Sequence, residues 1–261
     1  GKTKFVDKLL LSSIYTFTKW GYASAKKRWQ PDSADISAKH IVITGATSGI
    51  GLAAAHDLAH RKAKLTLVAR NPEKAESVKQ ELIASTGNTN INIKIADMSL
   101  IADVRKLADQ LLSENEKIDV LVNNAGNLFN PRGESTEGIE QSFALLLLAP
   151  YVLTKALHPL LRKSQGRVIN VTSGGMYTQG ISPDDLESKT GDYSGSVAYA
   201  KAKRGLMICT EEWAKQWKGD GITVNAMHPG WAETPSVINA LPQFYKLTKN
   251  ILRTPQQGGD T

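Results

Sequence analysis

The sequence predicts an α/β fold, a doubly wound parallel sheet flanked by helices, and two observations support this prediction. Short runs rich in β-branched residues recur along the chain, and stretches of helical length separate them. A glycine-rich turn, TGATSGIG, directly follows the first of these runs. Strands that alternate with helices form βαβ units, in which the strands are parallel and the helices cover both faces of the sheet.

The predicted strands are HIVITG (40–45), KLTLVAR (64–70), NINIKIAD (90–97), IDVLVNNAG (118–126), GRVINVTS (166–173) and GITVNAMHPG (221–230). Predicted helices between them include GIGLAAAHDLAHR and SVAYAKAKRGLMICTEEWAKQW. The stretch SFALLLLAPY (142–151) is strongly apolar, but Pro150 and then Lys155 interrupt it well short of the ~20 apolar residues that a membrane span needs. We interpret it as a buried core helix.

Composition and length favour one globular domain. The chain has 261 residues, of which 41% are apolar and 22% charged. Cys209 is its single cysteine, so no intrachain disulfide can form, and we expect a reducing, cytoplasmic location. We expect the domain at residues 37–261, after an extension at residues 1–36. The final TPQQGGDT reads as the opening of another element, so we expect the domain to be truncated at its C-terminus.

The positive charge is concentrated in the extension. Residues 1–30 hold seven basic residues and one acid, and so carry +6 of the net charge of +7. A nucleic-acid-binding domain would carry a basic patch on its body, so we do not expect a nucleic-acid partner.

Residues 5–20 have helical periodicity, with Val6, Leu10 and Ile14 on one face and Lys4 and Lys8 on the other. This helix either lies peripherally in a membrane interface, or packs on the body of the protein or over the cleft.

The turn after the first predicted strand has the character of a dinucleotide-binding loop. Glycines let the backbone turn sharply and approach a pyrophosphate, toward which the following helix directs its N-terminal N–H groups. The alternative is a tight turn without a ligand. The candidate binding residues in this turn are Gly45, Thr47, Ser48, Gly49, Ile50 and Gly51.

The end of the second strand predicts the type of cofactor. A site that prefers NAD has an acid there, which binds the ribose 2′-hydroxyl, whereas this chain has Ala69 and Arg70. Arginine can pair with a 2′-phosphate through two hydrogen bonds, which favours NADP. The alternative is that Arg70 is a solvated loop cation.

Tyr199 and Lys203 are candidate catalytic residues, because a spacing of four places them on one face of a helix. A phenol with an ordinary pKa near 10 is a poor acid–base catalyst at neutral pH. A nearby ammonium favours the phenolate and lowers that pKa.

The chain resembles the short-chain dehydrogenases/reductases. The motifs TGATSGIG, NNAG (123–126), VTSGG with Ser173, YAKAK with Tyr199 and Lys203, and HPGWAETP (228–235) follow one another in the order of that family over residues 40–235. Together with the basic extension, TSGGMY and MHPGWAETP, they also resemble one subfamily in particular.

The resemblance implies a Rossmann-type domain and a role for each catalytic residue. Tyr199 would donate a proton to a carbonyl oxygen, or remove one from an alcohol. Lys203 would lower the pKa of Tyr199 and hold the nicotinamide ribose, and Ser173 would hydrogen-bond the substrate oxygen.

The resemblance also implies further cofactor contacts. Asp97 would bind the adenine, although it could instead be an acid at a helix N-terminus. The remaining implied contacts are Asn124, Ala125 and Gly126 around the ribose, and Pro229, Gly230 and Thr234 around the nicotinamide. A homo-oligomer is also implied by analogy with the family.

One position departs from the family pattern. The helix after NNAG normally has an asparagine that helps to hold a water molecule in a proton relay behind the lysine, and the alignment on Phe143 and Ala144 places Leu146 there. Leucine cannot hold a water, and an apolar neighbour would lower the pKa of Lys203.

Residues after HPGWAETP predict apolar walls for a substrate pocket: Val237, Ile238, Leu241, Phe244 and Tyr245. No other histidine or acid has metal-ligand spacing to His228, so we interpret His228 as a structural residue of its turn and expect no metal.

The sequence therefore predicts an NADP(H)-dependent carbonyl reductase or alcohol dehydrogenase that acts on a small hydrophobic substrate. The alternative is a nucleotide-binding regulatory or scaffold protein of the same fold whose catalysis is impaired. Ser173, Tyr199 and Lys203 favour the enzyme, and Leu146 favours the alternative.

Overall fold

A computed structural model of the protein describes residues 17–29, 33–230, 232, 250 and 252–260. The central element is a parallel sheet of six strands in the order β3-β2-β1-β4-β5-β6, which confirms the predicted fold class. The strand order reverses direction between β1 and β4. The strands are β1 (His40–Thr44), β2 (Lys64–Ala69), β3 (Ile91–Ile95), β4 (Val120–Asn123), β5 (Arg167–Val171) and β6 (Thr223–Met227).

Helices cover both faces of the sheet. Neighbouring residues of β1 point to opposite faces, so Val42 packs with Val104, Leu153 and Trp213 on one side, while Ile43 packs on the other side with the helices next to it in sequence. The described helices are α1 (Lys19–Lys26), α2 (Gly49–His60), α3 (Pro72–Thr86), α4 (Ile101–Glu114), α5 (Gln141–Ala156), α6 (His158–Ser164), α7 (Gly195–Gln216) and α8 (Pro255–Gly259).

Local sequence signals set the ends of these elements, and α3 is an example. The side chain of Asn71 accepts a hydrogen bond from the N–H of Lys74, and Pro72 occupies the first helical turn. Gly87 ends the helix in the left-handed conformation, with φ of 66°. The helix thus stops where the chain must turn back to the sheet.

Helix α5 contains the apolar stretch SFALLLLAPY, and its side chains Leu146 and Leu153 are buried in the core as predicted. Residues Ala144–Leu148 form a π-helical segment, in which the N–H of Ala149 bonds to the carbonyl of Ala144. Within the described ranges no single helix is long and apolar enough to cross a membrane, although α5 and α6, bent by 58°, reach that length and composition together.

The described part of the N-terminal extension packs against the body of the protein. Tyr22 on α1 is 4% exposed, and the guanidinium of Arg253 lies 5.6 Å from the centre of its ring. The Phe17 ring contacts the ring of His228, with 4.6 Å between the two centres. The described residues 17–29 therefore pack on the body of the protein. Residues 5–16 lie outside the described ranges, so their membrane contact and the domain boundary at residue 36 stay predictions.

We expect the substitution Tyr22→Ala to lower the free energy of unfolding by about 3–5 kcal/mol, because it removes a buried aromatic ring that holds α1 on the body. Tyr22→Phe, the matched control, keeps the ring and loses only the hydroxyl that bonds Asp260 and Lys26, at a cost of about 1 kcal/mol. Urea unfolding of the three proteins measures both effects. Equal stability of the wild type and Tyr22→Ala would show that α1 does not dock in solution.

Candidate active site

The candidate site is a cleft of about 780 Å³ at the carboxyl ends of the parallel strands. It lies where the strand order reverses between β1 and β4, the position at which ligands bind in open α/β sheets. Most of the residues predicted from the sequence line it: Gly45, Thr47, Ser48, Gly49, Ile50, Arg70, Asp97, Asn124, Ala125, Gly126, Ser173, Tyr199, Lys203, Pro229 and Gly230. Thr234 and the predicted pocket residues Val237, Ile238, Leu241, Phe244 and Tyr245 lie outside the described residues.

The glycine-rich turn has the conformation that its glycines were expected to permit. Gly45 and Gly49 have φ of 67° and 55°, in the left-handed region that disfavours side chains. Gly51 does not line the cleft, but a Cβ there would lie 2.4 Å from Asn124 Nδ2 and 2.5 Å from the carbonyl oxygen of Gly45. Gly51 is therefore needed for close packing behind the turn.

Asn124 ties the turn to the end of β4. Its Nδ2 donates hydrogen bonds to the carbonyl oxygens of Thr44 and Gly45, at 3.0 and 3.1 Å. The Thr44 hydroxyl in turn accepts from the backbone N–H groups of Asn124 and Ala125. The ends of β1 and β4 are thus joined at the point where a bound nucleotide would cross them.

Two polar side chains lie on the other half of the cleft. Arg70 is exposed at the end of β2, next to the buried Ala69. Asp97 follows β3, and its Oδ1 accepts hydrogen bonds from the N–H and the hydroxyl of Ser99. Asp97 therefore stabilises the turn before α4 and also lines the cleft, while the acid in the first turn of α4 is Asp103.

The three predicted catalytic residues come together. Tyr199 and Lys203 lie on α7, and Ser173 follows β5. Tyr199 hydrogen-bonds the side chain of Ser173. Lys203 Nζ donates to the carbonyl oxygen of Val171 at 2.7 Å and lies 5.8 Å from the centre of the Tyr199 ring.

Burial has the largest effect on the pKa values of Tyr199 and Lys203. It raises the pKa of Tyr199, and the hydrogen bond with Ser173 only partly opposes this. Burial also lowers the pKa of Lys203 to about 8. The pKa of Tyr199 is thus raised where the sequence predicted a lowered value, because both groups are buried and the ammonium of Lys203 points to the carbonyl oxygen of Val171. Lys203 nevertheless remains mostly charged at pH 7.

Leu146 lies beside Lys203, as the alignment predicted. A Cβ placed on Gly126 would lie 3.4 Å from Leu146 Cδ2 and 3.9 Å from Lys203 Nζ, so all three meet at one point. Leu146 is 1% exposed, and the lowered pKa of Lys203 agrees with the expected effect of apolar surroundings.

His228 lines the cleft and also bonds within its own turn. Its Nδ1 accepts a hydrogen bond from the N–H of Gly230 at 3.3 Å, and Phe17 packs against its ring. Burial, assisted by the nearby Arg253, lowers the pKa of His228 to about 4, so the imidazole is neutral. In the part of the chain that the structure describes, no group of three metal-ligating side chains occurs.

Sequence reasoning missed two groups of residues near the site. Phe17 and Arg253 reach its edge from the two ends of the chain, and Arg253 donates to the carbonyl oxygens of Thr18 and Pro229. A buried polar row behind the site contains Asn123, Thr154, Asn170 and Thr210. Alternation within β4 and β5 could have placed both asparagines in the core, but not their pairing.

The proteins to which this chain is similar are dehydrogenases, as the residues of the site predict. The short chain dehydrogenase family matches residues 39–183. Dehydrogenase/reductase SDR family member 12 of Bos taurus is 40% identical over 94% of this chain and 77% of its own length. This relative belongs to the subfamily that the motifs resemble, which confirms the finer prediction.

Two proteins that are less similar in sequence are also dehydrogenases. Human retinol dehydrogenase 13 is 34% identical over 78% of this chain and 62% of its own length. A short chain dehydrogenase from Escherichia coli CFT073, complexed with NADPH, is 25% identical, with a TM-score of 0.69 over 86% of this chain and 89% of the other. With its glycine turn, its Ser173–Tyr199–Lys203 group and these matches, the chain belongs to the short-chain dehydrogenase family of oxidoreductases, which have a Rossmann-type fold.

Proposed function

We propose that the protein transfers a hydride between NADP(H) and the carbonyl or alcohol group of a small hydrophobic molecule, with Tyr199 as the acid or base. The observation that carries this proposal is the meeting of Ser173, Tyr199 and Lys203 inside a cleft that also contains the glycine-rich turn. The residues present fit the cofactor, because Gly45, Ser48 and Gly49 of the turn line the cleft, and the positive φ of both glycines gives the sharp turn that brings backbone close to a pyrophosphate.

Each catalytic side chain has a defined task in reduction. NADPH supplies the hydride when bound. Tyr199 donates its phenolic proton to the carbonyl oxygen, and the hydroxyl of Ser173 hydrogen-bonds the same oxygen as negative charge develops there. Lys203 stabilises the tyrosinate that remains after the proton has left.

Arg70 and a similar solved structure support NADP over NAD. At the end of β2 the chain has a neutral residue followed by an exposed arginine, which can pair with a 2′-phosphate. The E. coli short chain dehydrogenase is complexed with NADPH. Both point to the same cofactor.

An apolar lining supports the hydrophobic substrate. Leu128, Phe129, Leu145 and Val197 face the cleft near Tyr199. The names of several relatives, among them human retinol dehydrogenases 13 and 12, indicate an apolar alcohol as the substrate of those proteins.

Peripheral membrane contact and assembly into a homo-oligomer are further proposals. Lys19, Lys26 and Lys27 on or after α1 are exposed, which supports contact with an anionic surface through the extension at a cytoplasmic face. Exposed Tyr151 and Ile208 on α5 and α7 support pairing between copies.

The alternative is a nucleotide-binding protein with impaired catalysis, and Leu146 beside Lys203 is the observation that favours it. Leucine offers no side-chain hydrogen bond to a proton relay. Substitution Leu146→Asn restores the side chain that the family pattern has, so the two functions can be separated by experiment.

We expect the wild type to oxidise NADPH in the presence of hydrophobic ketones or aldehydes, and Tyr199→Phe to lower kcat about 10²–10⁴-fold because the general acid is lost. The rate should fall as the pH rises through about 8, since neutral Lys203 no longer stabilises the tyrosinate. Steady-state rates from about pH 6 to about pH 10, with NADPH binding as the control for folding, provide the test.

Leu146→Asn belongs in the same assay. Turnover by the wild type would establish a reductase that needs no asparagine at position 146. Turnover by Leu146→Asn alone would move the assignment to the nucleotide-binding alternative. Reduction of small charged keto acids in preference to apolar ketones would contradict the proposed substrate class.

We expect Arg70→Asp to weaken NADPH binding about 10- to 100-fold and to leave NADH binding unchanged or stronger, because a charge-assisted hydrogen bond to the 2′-phosphate is replaced by repulsion. Isothermal titration with both cofactors measures this directly. Arg105→Asp on α4, which makes the same change of charge at an exposed position outside the cleft lining, is the matched control. Equal losses of affinity in both variants would show that Arg70 acts only through net charge.

A further inference from the structure

Arg253 is a buried arginine that contacts both the N-terminal extension and the wall of the cleft. Its Nε donates a hydrogen bond to the carbonyl oxygen of Thr18 at 3.3 Å, and its guanidinium lies 5.6 Å from the centre of the Tyr22 ring. Its Nη1 donates to the carbonyl oxygen of Pro229 at 3.1 Å. One side chain therefore joins the start of α1 to the turn that follows β6.

Gly230 lets the guanidinium lie directly against this turn. Its φ of 78° is in the left-handed region that favours glycine. A Cβ at this position would lie 2.6 Å from both Cζ and Nε of Arg253, so any other residue would push the guanidinium away. A parallel β-bridge between Ala232 and Arg253 holds the two backbone segments together.

The turn lies in the half of the cleft that contains the catalytic residues. It follows β6, which pairs with β5, and Ser173 comes after β5. Arg70 follows β2, on the other side of the reversal in strand order. A dinucleotide with its 2′-phosphate at Arg70 therefore reaches Tyr199 with its nicotinamide end. Pro229 and Gly230 line the cleft on that side.

A second contact from the extension reaches the same place. The centre of the Phe17 ring lies 4.6 Å from that of His228, which begins the turn. A Cβ on Gly174, the residue after Ser173, would lie 3.5 Å from Phe17 Cε2. The extension therefore packs against both segments that border the catalytic half of the cleft.

Helix α8 packs against the turn as well. A Cβ on Gly258 would lie 3.4 Å from the Cβ of Pro229 and 3.3 Å from Cγ1 of Ile50 in the glycine-rich turn. The Tyr22 hydroxyl bonds to Asp260, just after this helix. The extension, α8 and the two turns thus form one close-packed unit, in which a displacement of one part is transmitted to the others.

We propose that Arg253 couples docking of the extension to binding of the nicotinamide end of NADP(H). The docked extension holds the guanidinium against Pro229 and Gly230, and the turn then keeps the shape that lines the cleft. Bound cofactor in turn fixes the turn and stabilises the docked extension, because a coupling free energy between two sites is reciprocal. Arg253 is a positioning residue, which acts through the turn. The inference rests on the proposed function, since NADP(H) is its ligand.

The first experiment compares two ligands by isothermal titration: NADPH, and adenosine 2′,5′-bisphosphate, which has the 2′-phosphate but no nicotinamide. We expect Arg253→Met and Tyr22→Ala to raise the Kd of NADPH on the order of tenfold and to leave the Kd of the bisphosphate unchanged. Arg253→Lys should recover only part of the affinity, because an ammonium lacks the planar fork of donors. Arg105→Met, at an exposed position on α4, is the matched control and should bind both ligands as the wild type does.

The two ligands separate the possible outcomes. Equal losses of affinity for NADPH and the bisphosphate would show that Arg253 only supports the fold. Unchanged NADPH affinity in Arg253→Met and Tyr22→Ala would overturn the coupling and leave the proposed function standing. A wild type that binds neither ligand would contradict the proposed function, and this inference with it.

The second experiment measures amide hydrogen exchange in the wild type with and without NADPH, and so needs neither turnover nor a variant. We expect NADPH to slow exchange about tenfold at Tyr22, whose N–H bonds to Thr18, and at Gly230. The amide of Gly87, at the opposite edge of the sheet, should keep its rate. Unchanged exchange at Tyr22 when NADPH is bound would overturn the proposal, and this result decides if the Arg253 variants fail to fold.

Discussion

The junction between the ends of β1 and β4 is the constraint on which the site depends. The two strands are paired, but the chain winds in opposite directions on either side of them, and this leaves a cleft at their carboxyl ends. The side chain of Asn124 after β4 hydrogen-bonds to the carbonyl oxygens of Thr44 and Gly45 after β1 and so joins the two strand ends. Gly51 lets helix α2 pack closely against Asn124 and Gly45. The residues that line the cleft at this junction come from the glycine turn, the NNAG segment and the catalytic helix α7.

Burial drives the catalytic pair toward its neutral state. A buried tyrosine resists losing its proton and a buried lysine resists keeping one, so the low dielectric opposes the charge separation that proton transfer requires. Polar partners around Lys203 therefore matter more than they would at a surface. The carbonyl oxygen of Val171 is one such partner, at 2.7 Å from Lys203 Nζ, whereas Leu146 on the neighbouring helix offers none.

The two ends of the described chain meet at the edge of the site. Thr18 and Tyr22 from the extension contact Arg253, and Arg253 also bonds to Pro229 in the turn that borders the cleft. The described residues of the extension therefore contact the side chain that bonds to this turn.

The sequence alone determined the parallel sheet, its order of elements, the glycine turn and the roles suggested for Ser173, Tyr199 and Lys203, because these depend on local patterns and on motif order. It also placed Leu146 beside Lys203. Only the tertiary structure decided that residues 17–29 pack on the body, that burial raises the pKa of Tyr199, and that the side chains of Asn123 and Asn170 hydrogen-bond to each other behind the site. These depend on contacts between residues far apart in the chain, such as Asn123 with Asn170, and on the exclusion of water, which no local pattern encodes.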